Sequence, residues 1–209
     1  MQILLIAATP FEVELFINTY SNVDILISGV GVPSTMYHLQ KRVQQVDYDF
    51  VIQAGIAGTF SNDIDLGETV FVKQDTFGDL GAEEKRTFTT FFKSGLINAH
   101  EFPFADGWLI NNAGGLLKNA TLKWVKAVTI NKVSDSFLQK IQLVDAYNPQ
   151  IETMEGAALH YLCLQEDIPF IQIRSISNQV GERDKSKWKM KEAVENLNIE
   201  LTSLINNLN

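Results

Sequence analysis

The sequence predicts an α/β fold in one domain, a mostly parallel sheet flanked by helices, and three observations carry that prediction. Strand-like and helix-like runs alternate along nearly the whole chain, the order that builds a sheet covered on both faces. Runs such as Ile3-Leu4-Leu5-Ile6 and Phe50-Val51-Ile52 are continuously apolar, as strands buried on both sides are. The 209 residues show no composition break, internal repeat or low-complexity tract, so a single domain spans 1–209.

Residues 2–8 read as a buried strand and 11–20 as the helix after it. A second strand, 24–28, ends in Gly29-Val30-Gly31, and a helix over 35–45 has Pro33 and Ser34 at its start. Residues 50–54 form a third buried strand, closed by a turn at Gly55-Ile56-Ala57-Gly58. Residues 67–74 form a fourth, whose alternation puts one face in water. The stretch 75–112 has broken periodicity and holds Phe77, Phe88, Phe91, Phe92, Phe102 and Phe104. It reads as an irregular insertion that covers something apolar. A strand around 126–130, a helix over 134–143 and a helix over 155–166 follow. Asp167-Ile168-Pro169 turns into the strand 170–176, and 188–208 is a long terminal helix.

A formal charge of -8 disfavours nucleic acid and anionic membranes as partners. The one cysteine, Cys163, excludes an internal disulfide and a cysteine-based zinc site. The apolar N-terminus lacks the basic segment of a signal peptide, and no apolar run reaches the roughly 18 residues that would span a membrane. A cytoplasmic location is expected. His38, His100 and His160 are too scattered to suggest a metal site or a triad.

Glu12 follows Thr9-Pro10-Phe11 and has two readings. Thr9, Pro10 and Glu12 suit the start of a capped helix. A carboxylate at the carboxyl end of the first strand also sits where open α/β sheets bind ligands, placed to take a proton from water. Gly29-Val30-Gly31-Val32-Pro33-Ser34 imitates a dinucleotide fingerprint with Ser34 in place of the third glycine, and a tight turn explains it better. The glycines of 55–58 let backbone amides approach a ligand. Arg174 lies four residues before Asn178 in one strand, so the two share a face; Arg174 also suits pairing with an acidic neighbour. Arg183, Lys185, Lys187 and Lys189 form the one locally basic stretch, which reads first as a solvated face.

Ile151-Glu152-Thr153-Met154-Glu155-Gly156-Ala157-Ala158, followed after one helix by Arg174-Ser175-Ile176-Ser177-Asn178, resembles the purine nucleoside phosphorylase and nucleosidase superfamily. Within it, the Gly181-Glu182-Arg183-Asp184 stretch followed by Trp188 is similar to the futalosine hydrolases. The resemblance implies the phosphorylase/hydrolase-like fold with a mixed sheet, and an N-glycosidic hydrolysis that releases hypoxanthine from futalosine. It implies a homodimer or higher homo-oligomer, a small nucleoside as substrate, and no cofactor or metal.

The site roles come by the same route. Glu12 would activate water, with Arg174 helping to position it. Gly55, Ile56, Ala57 and Gly58 would approach the substrate, Met154 would pack under the ribose, and Trp188 would belong to the binding region. Glu155 would bind the 2′- and 3′-hydroxyls, since a carboxylate offers two acceptors to a cis-diol. Asn178 would face the base, its two N–H donors matching N7 and O6 of a 6-oxopurine where adenine-specific relatives carry Asp. Glu152 is given no role. A cation of the 183–189 stretch would meet the substrate's benzoate, whose ring would lie on phenylalanines of the insertion or of a neighbouring subunit. The first 41 residues contain no arginine, and Ile56 stands where many relatives have a hydroxyl; both favour water over phosphate as acceptor. The alternatives are methylthioadenosine/adenosylhomocysteine nucleosidase, inosine phosphorylase, and a nucleoside-binding or structural protein that kept the fold and lost catalysis.

Overall fold

The computed structural model describes residues 1–19, 23–112, 121–133 and 136–208. Strands β1 (Ile3–Ala7), β2 (Asp24–Ile27) and β3 (Phe50–Thr59) are followed by β4 (Thr69–Asp75), the hairpin β5 (Gly81–Glu84) and β6 (Thr87–Thr90), and the short β7 (Leu109–Ile110). Then come β8 (Trp124–Thr129), β9 (Ile151–Thr153) and β10 (Phe170–Gln179). The helices are α1 (Pro10–Ile17), α2 (Val32–Val43), α3 (Phe137–Tyr147), α4 (Gly156–Gln165) and α5 (Met190–Leu208).

The main sheet runs β10-β4-β8-β9-β3-β1-β2, with β7 beside β4, and β10 also pairs with β3. That last pairing closes five strands into a ring, from which β1 and β2 extend as an open wing. The sheet is mixed but mostly parallel: β10–β4, β3–β9 and β4–β7 are antiparallel, the other pairs parallel.

One strand, β3, joins the two parts. β10 lies along β3 from Val51 to Thr59 and occupies one edge of it. On the other edge β3 pairs with β1 over Phe50–Gln53 and with β9 only at Gly58 and Thr59. Between those stretches, around Ile56, the edge has no strand partner. The sheet splits there, and the split opens the cleft described below.

Apolar burial follows this plan. Leu5, Ile52, Ile171 and Ile173 pack with Phe16 of α1 and Leu197, Leu201 and Ile205 of α5 on one face. Leu4, Ile6 and Val51 meet Leu39 of α2 and Leu159 and Leu162 of α4 on the other. Ala57, Val70, Val125, Ile151 and Ile176, drawn from all five ring strands, form a third cluster. Burying each such valine, leucine, isoleucine or phenylalanine side chain stabilises the fold by about 1.5–3 kcal/mol.

Several expectations are corrected. Gly55-Ile56-Ala57-Gly58 is the second half of β3 and not a turn. Its glycines answer side-chain crowding: a Cβ on Gly55 would run into the Arg174 guanidinium and come within 2.9 Å of Glu12 Oε1. Helix α2 begins at Val32, ahead of Pro33, with Gly31 as its N-cap at φ 89°, a left-handed conformation open to glycine. The insertion is not wholly irregular, since it carries the β5–β6 hairpin with Lys85 and Arg86 both at positive φ. That is the backbone of a two-residue hairpin turn made without its usual Asn-Gly signature. Its phenylalanines cover α4, with Phe77 and Phe104 against Tyr161 and Phe92 against Phe104. The terminal helix starts at Met190, after a 3-10 turn at Lys185–Lys187. Helix α3 runs from Phe137 to Tyr147; residues 134 and 135, expected to begin it, lie outside the described residues, as does Tyr20. No described helix is long and apolar enough to cross a membrane.

Gly55→Ala should destabilise the protein by about 1–3 kcal/mol through this overpacking, read as a lowered midpoint in urea at unchanged slope.

Candidate active site

The cleft at the split has a volume of about 480 Å³. Three carboxylates reach it from three places: Glu12 after β1, Glu152 on β9 and Glu155 after β9.

Helix α1 presents Glu12 by its own capping. Thr9 donates to Glu12 Oε2 from its backbone N–H at 2.9 Å and from its hydroxyl at 3.1 Å. The other oxygen, Oε1, accepts the Ile56 N–H at 3.2 Å, the backbone donor left without a strand where β3 passes from β1 to β9. The capping and site readings of Glu12 are therefore compatible, and Val13 departs from helical geometry just behind it. Glu12 is 6% exposed. Burial raises its pKa above the ordinary carboxylate value, Arg174 and the Ile56 N–H oppose the shift, and Glu155 adds to it.

Glu155 is the N-cap residue of α4. Its Oε1 accepts the N–H of Gly31 at 3.0 Å, tying the β2–α2 turn to the cleft, and its Oε2 faces Arg174 Nη1 at 3.5 Å. Arg174 is 1% exposed and lies behind the cleft wall rather than on it. Its Nη2 donates to Gln53 Oε1 at 2.8 Å and its Nη1 to the Ile56 carbonyl at 3.4 Å. With the Gln172 amide oriented to satisfy its neighbours, Gln172 accepts from Arg174 Nε at 3.1 Å and donates to His160 Nε2 at 2.9 Å and Asp75 Oδ2 at 3.2 Å. His160 Nδ1 in turn donates to the Leu109 carbonyl at 3.0 Å. Burial pushes His160 down to about 4 and Asp75 up to about 7, so the ring is neutral at pH 7. Asp75 also accepts from the Thr129 hydroxyl at 3.0 Å, and that hydroxyl receives the Ala157 N–H at 2.7 Å. The polar chain thus ends under the first turn of α4, the turn that Glu155 caps.

Asn178 lines the cleft. The β10–β3 register shifts between Ile176 and Asn178, so Ser177 and Asn178 both reach the cleft while Arg174 does not. The expectation that Arg174 and Asn178 share a face fails because this bulge breaks the period of two. Asn178 Nδ2 donates to the Gln179 carbonyl at 2.9 Å and Oδ1 accepts the Ser177 hydroxyl at 2.7 Å. One N–H remains for a ligand, where two had been expected.

Of the expected site residues, Glu12, Ile56, Ala57, Gly58, Met154, Glu155, Asn178 and Trp188 line one cleft, and Gly55 and Arg174 lie behind it. Trp188 is held by its Nε1–H on the Glu182 carbonyl at 3.0 Å, with Arg183 over its ring at 5.6 Å. Lys187 and Lys189 pair with Glu182 and Glu192, whereas Arg183 and Lys185 line the cleft. The cleft-lining aromatics are Phe11 and Trp188, with none from the insertion. Glu152, which had no expected role, lines the cleft; Gln53, Asp75, His160 and Gln172 support it. Gln53 and Gln172 carried a legible signal: each interrupts an apolar run, and a polar side chain in a buried strand has to find a partner.

Residues 6–206 match the Phosphorylase superfamily, and the chain belongs to that family. Among its relatives, the futalosine hydrolase of Thermus thermophilus is 28% identical over 81% of this chain and 75% of its own length. A 5′-methylthioadenosine/S-adenosylhomocysteine nucleosidase of Marinomonas sp. is 23% identical over 92% and 85%. In fold, the chain is similar to the futalosine hydrolase of Helicobacter pylori, at TM-score 0.81 and 16% identity, over 100% of this chain and 98% of that one. It is as similar to the 5′-methylthioadenosine/S-adenosylhomocysteine nucleosidase of Helicobacter pylori bound to butyl-thio-DADMe-Immucillin-A, at TM-score 0.81, 17% identity and coverages of 100% and 99%.

Arg174→Met should cost about 3–5 kcal/mol, because it leaves Glu155 buried without its counter-charge and Gln53 and Gln172 without their donor. Denaturant unfolding of the variant checks this.

Proposed function

We propose that this chain is a cytoplasmic nucleosidase that hydrolyses the N-glycosidic bond of futalosine, releasing hypoxanthine and dehypoxanthine futalosine in menaquinone biosynthesis. The observation that carries the reading is the meeting of Glu12, Glu155 and Asn178 in one cleft, a base, a diol acceptor and an amide donor for the three parts of a purine nucleoside. The match to the Phosphorylase superfamily and the hydrolase and nucleosidase relatives support the reaction class.

In this mechanism the C1′–N9 bond lengthens, the ribose becomes cation-like and the purine takes up negative charge. Glu12 removes the proton from the attacking water. Its raised pKa suits a base working near neutrality. Glu155 keeps lone pairs free for the ribose hydroxyls after accepting from Gly31, and Met154 packs beneath the sugar. Asn178 gives its remaining N–H to the departing purine. Arg174 holds Glu155 in place and touches no reacting atom. Water is favoured as acceptor, because the first arginine in the chain, Arg42, is bound to Asp24 at 2.7 Å and is not part of the cleft. Arg183 and Lys185 offer cations to the benzoate carboxylate of futalosine. Phe11 and Val30, 52% and 56% exposed on the cleft, suit coverage by a second subunit in a homodimer or higher homo-oligomer.

A second reading, methylthioadenosine/adenosylhomocysteine nucleosidase, is favoured by one observation. Asn178 as hydrogen-bonded shows the ligand an N–H beside an oxygen, a pattern that also suits the N7 and N6 of a 6-aminopurine.

Incubation with futalosine, inosine and methylthioadenosine, with and without phosphate, separates these readings by the free base released. Phosphate-independent hypoxanthine from futalosine is expected; adenine from methylthioadenosine would transfer the assignment to the second reading. Glu12→Gln, which keeps the size of the side chain and one acceptor oxygen for the cap, should lower kcat about 10²-fold or more while costing about 1–3 kcal/mol of stability, because its NH2 cannot accept the Ile56 N–H. Wild-type turnover in that variant would remove Glu12 as the base. The acid limb of kcat/KM should lie above the ordinary glutamate value of about 4.3, since Glu12 acts only when ionised and burial makes it hold its proton to higher pH.

A further inference from the structure

Helix α5 presents an apolar face to the core through Val194, Leu197, Leu201 and Leu204, and buried Asn198 interrupts it. Its amide bonds main-chain groups at three points. Oδ1 accepts the Phe16 N–H at 2.9 Å, and Nδ2 donates to the Glu12 carbonyl at 2.9 Å and to the Val194 carbonyl of its own helix at 2.7 Å. Residues 12 and 16 stand four apart in α1, and a regular helix pairs that carbonyl with that N–H. The Asn198 amide bridges the same two groups from 182 residues along the chain. Between them Val13, at φ -128° and ψ 16°, lies outside helical geometry. Sharp breaks in helices come from proline, glycine, a π-bulge or a side chain entering the hydrogen-bond ladder. Pro10 lies ahead of this break and α1 has no glycine; the entering side chain is Asn198.

The break divides α1 by what each part answers to. Phe16 packs against Leu197 and Leu201 in the core, whereas Glu12 in the first turn reaches Ile56 and the cleft. One unbroken helix would have to satisfy both with a single orientation. We propose that Asn198 is a positioning residue for Glu12: by holding α1 open between Glu12 and Phe16 it sets the angle of the first turn, and so the place of the carboxylate, without touching substrate. This rests on the reading of Glu12 as the base. The Glu12 backbone is held on both sides, its N–H on the Thr9 carbonyl at 3.4 Å and its carbonyl on Asn198. Its side chain is held by Thr9 and Ile56. Replacing Asn198 by leucine takes away the donor to the Glu12 carbonyl and the acceptor of the Phe16 N–H. Buried main-chain groups find partners, and these two find each other when α1 closes into a regular turn. That closure rotates Glu12 relative to Ile56. Displacing a catalytic group by about 1 Å can cost on the order of 10²-fold in rate.

The test is a kinetic double-mutant cycle on the full chain: Asn198→Leu, Glu12→Gln and the two together. The substrate is futalosine, or methylthioadenosine if the wild type cleaves that instead, and kcat is referred to the fraction folded by circular dichroism. Asn198→Leu should lower kcat about tenfold or more with KM little changed, because Met154, Glu155 and Asn178 are carried by other elements. In the Glu12→Gln background the same change should cost little further, since the group it places is already gone. Asn198→Ala, which removes the amide without adding bulk, is held to the same outcomes should Asn198→Leu not fold. A folded variant with wild-type kcat overturns the proposal. So does a loss of kcat as large in the Glu12→Gln background as in the wild type, and both outcomes leave the nucleosidase reading standing. Failure of both variants to fold also overturns it, making the amide a requirement of the fold rather than of Glu12. Wild-type turnover in Glu12→Gln removes the base and this proposal with it, and a wild type that cleaves neither nucleoside removes the proposed function as well.

Discussion

The site is organised around one buried cation. Arg174 sits inside the sheet, on a strand that otherwise alternates with Ile171 and Ile173 of the core, and its neighbours are arranged around it. Gly55 lacks a side chain because the guanidinium occupies that space. Gln53 and Gln172 interrupt apolar strands because its N–H groups need acceptors. Glu155 faces it as counter-charge, and Glu12 feels it through space. A buried ion pair adds little net stability, since desolvation offsets the attraction. Its physical effect is geometric: removing either partner is costly, so the strand carrying Arg174 and the helix start carrying Glu155 stay in register.

The second constraint is topological. β3 keeps β10 along one edge and exchanges β1 for β9 on the other. A sheet that changes neighbours in mid-strand leaves backbone donors unpaired at the junction, and a buried N–H without a partner is expensive. Glu12 answers that demand by accepting the Ile56 N–H. The carboxylate that caps α1 therefore also seals the split. The polar chain through Gln172, Asp75 and Thr129 does the corresponding service for the first turn of α4, where Gly156 leaves room that a Cβ would fill with clashes against Asp75 and Gln172.

Much of this was legible in the chain because it is local. Continuous apolar runs marked β1 and β3, capping residues marked α1, and the Met154-Glu155 pair marked the start of α4. What escaped depends on partners distant in sequence. Gly55 to Gly58 look like a turn until β10 is laid beside them, far along the chain, in the pairing of Ile56 with Ser175. β9 has three residues, too few for any period to register, yet it closes the ring and carries Glu152. The bulge at Ser177 has no signature of its own, and it alone separates the face of Arg174 from that of Asn178. The hairpin turn at Lys85 and Arg86 is held in left-handed geometry without the residues that usually announce it.

The distribution of charge around the cleft bears on which nucleophile it accepts. Glu12 approaches it from the end of β1 and Glu152 and Glu155 from β9 and just beyond it, and the cation among them, Arg174, is buried behind the wall. With the carboxylates ionised, that field favours a ribose acquiring positive charge, the direction in which glycosidic cleavage moves the sugar. The same field opposes an incoming phosphate, an anion that would have to lie against Glu12 and Glu155, whose neighbouring guanidinium, Arg174, is buried. Arg183 and Lys185 are also on the cleft, in the loop after β10, with Arg183 over the Trp188 ring. In the proposed mechanism water carries no charge into the site and needs only a base, the role assigned there to Glu12. In the proposed function a neutral nucleophile and a developing cation meet these carboxylates, while Arg183 and Lys185 offer cations to an anionic substituent.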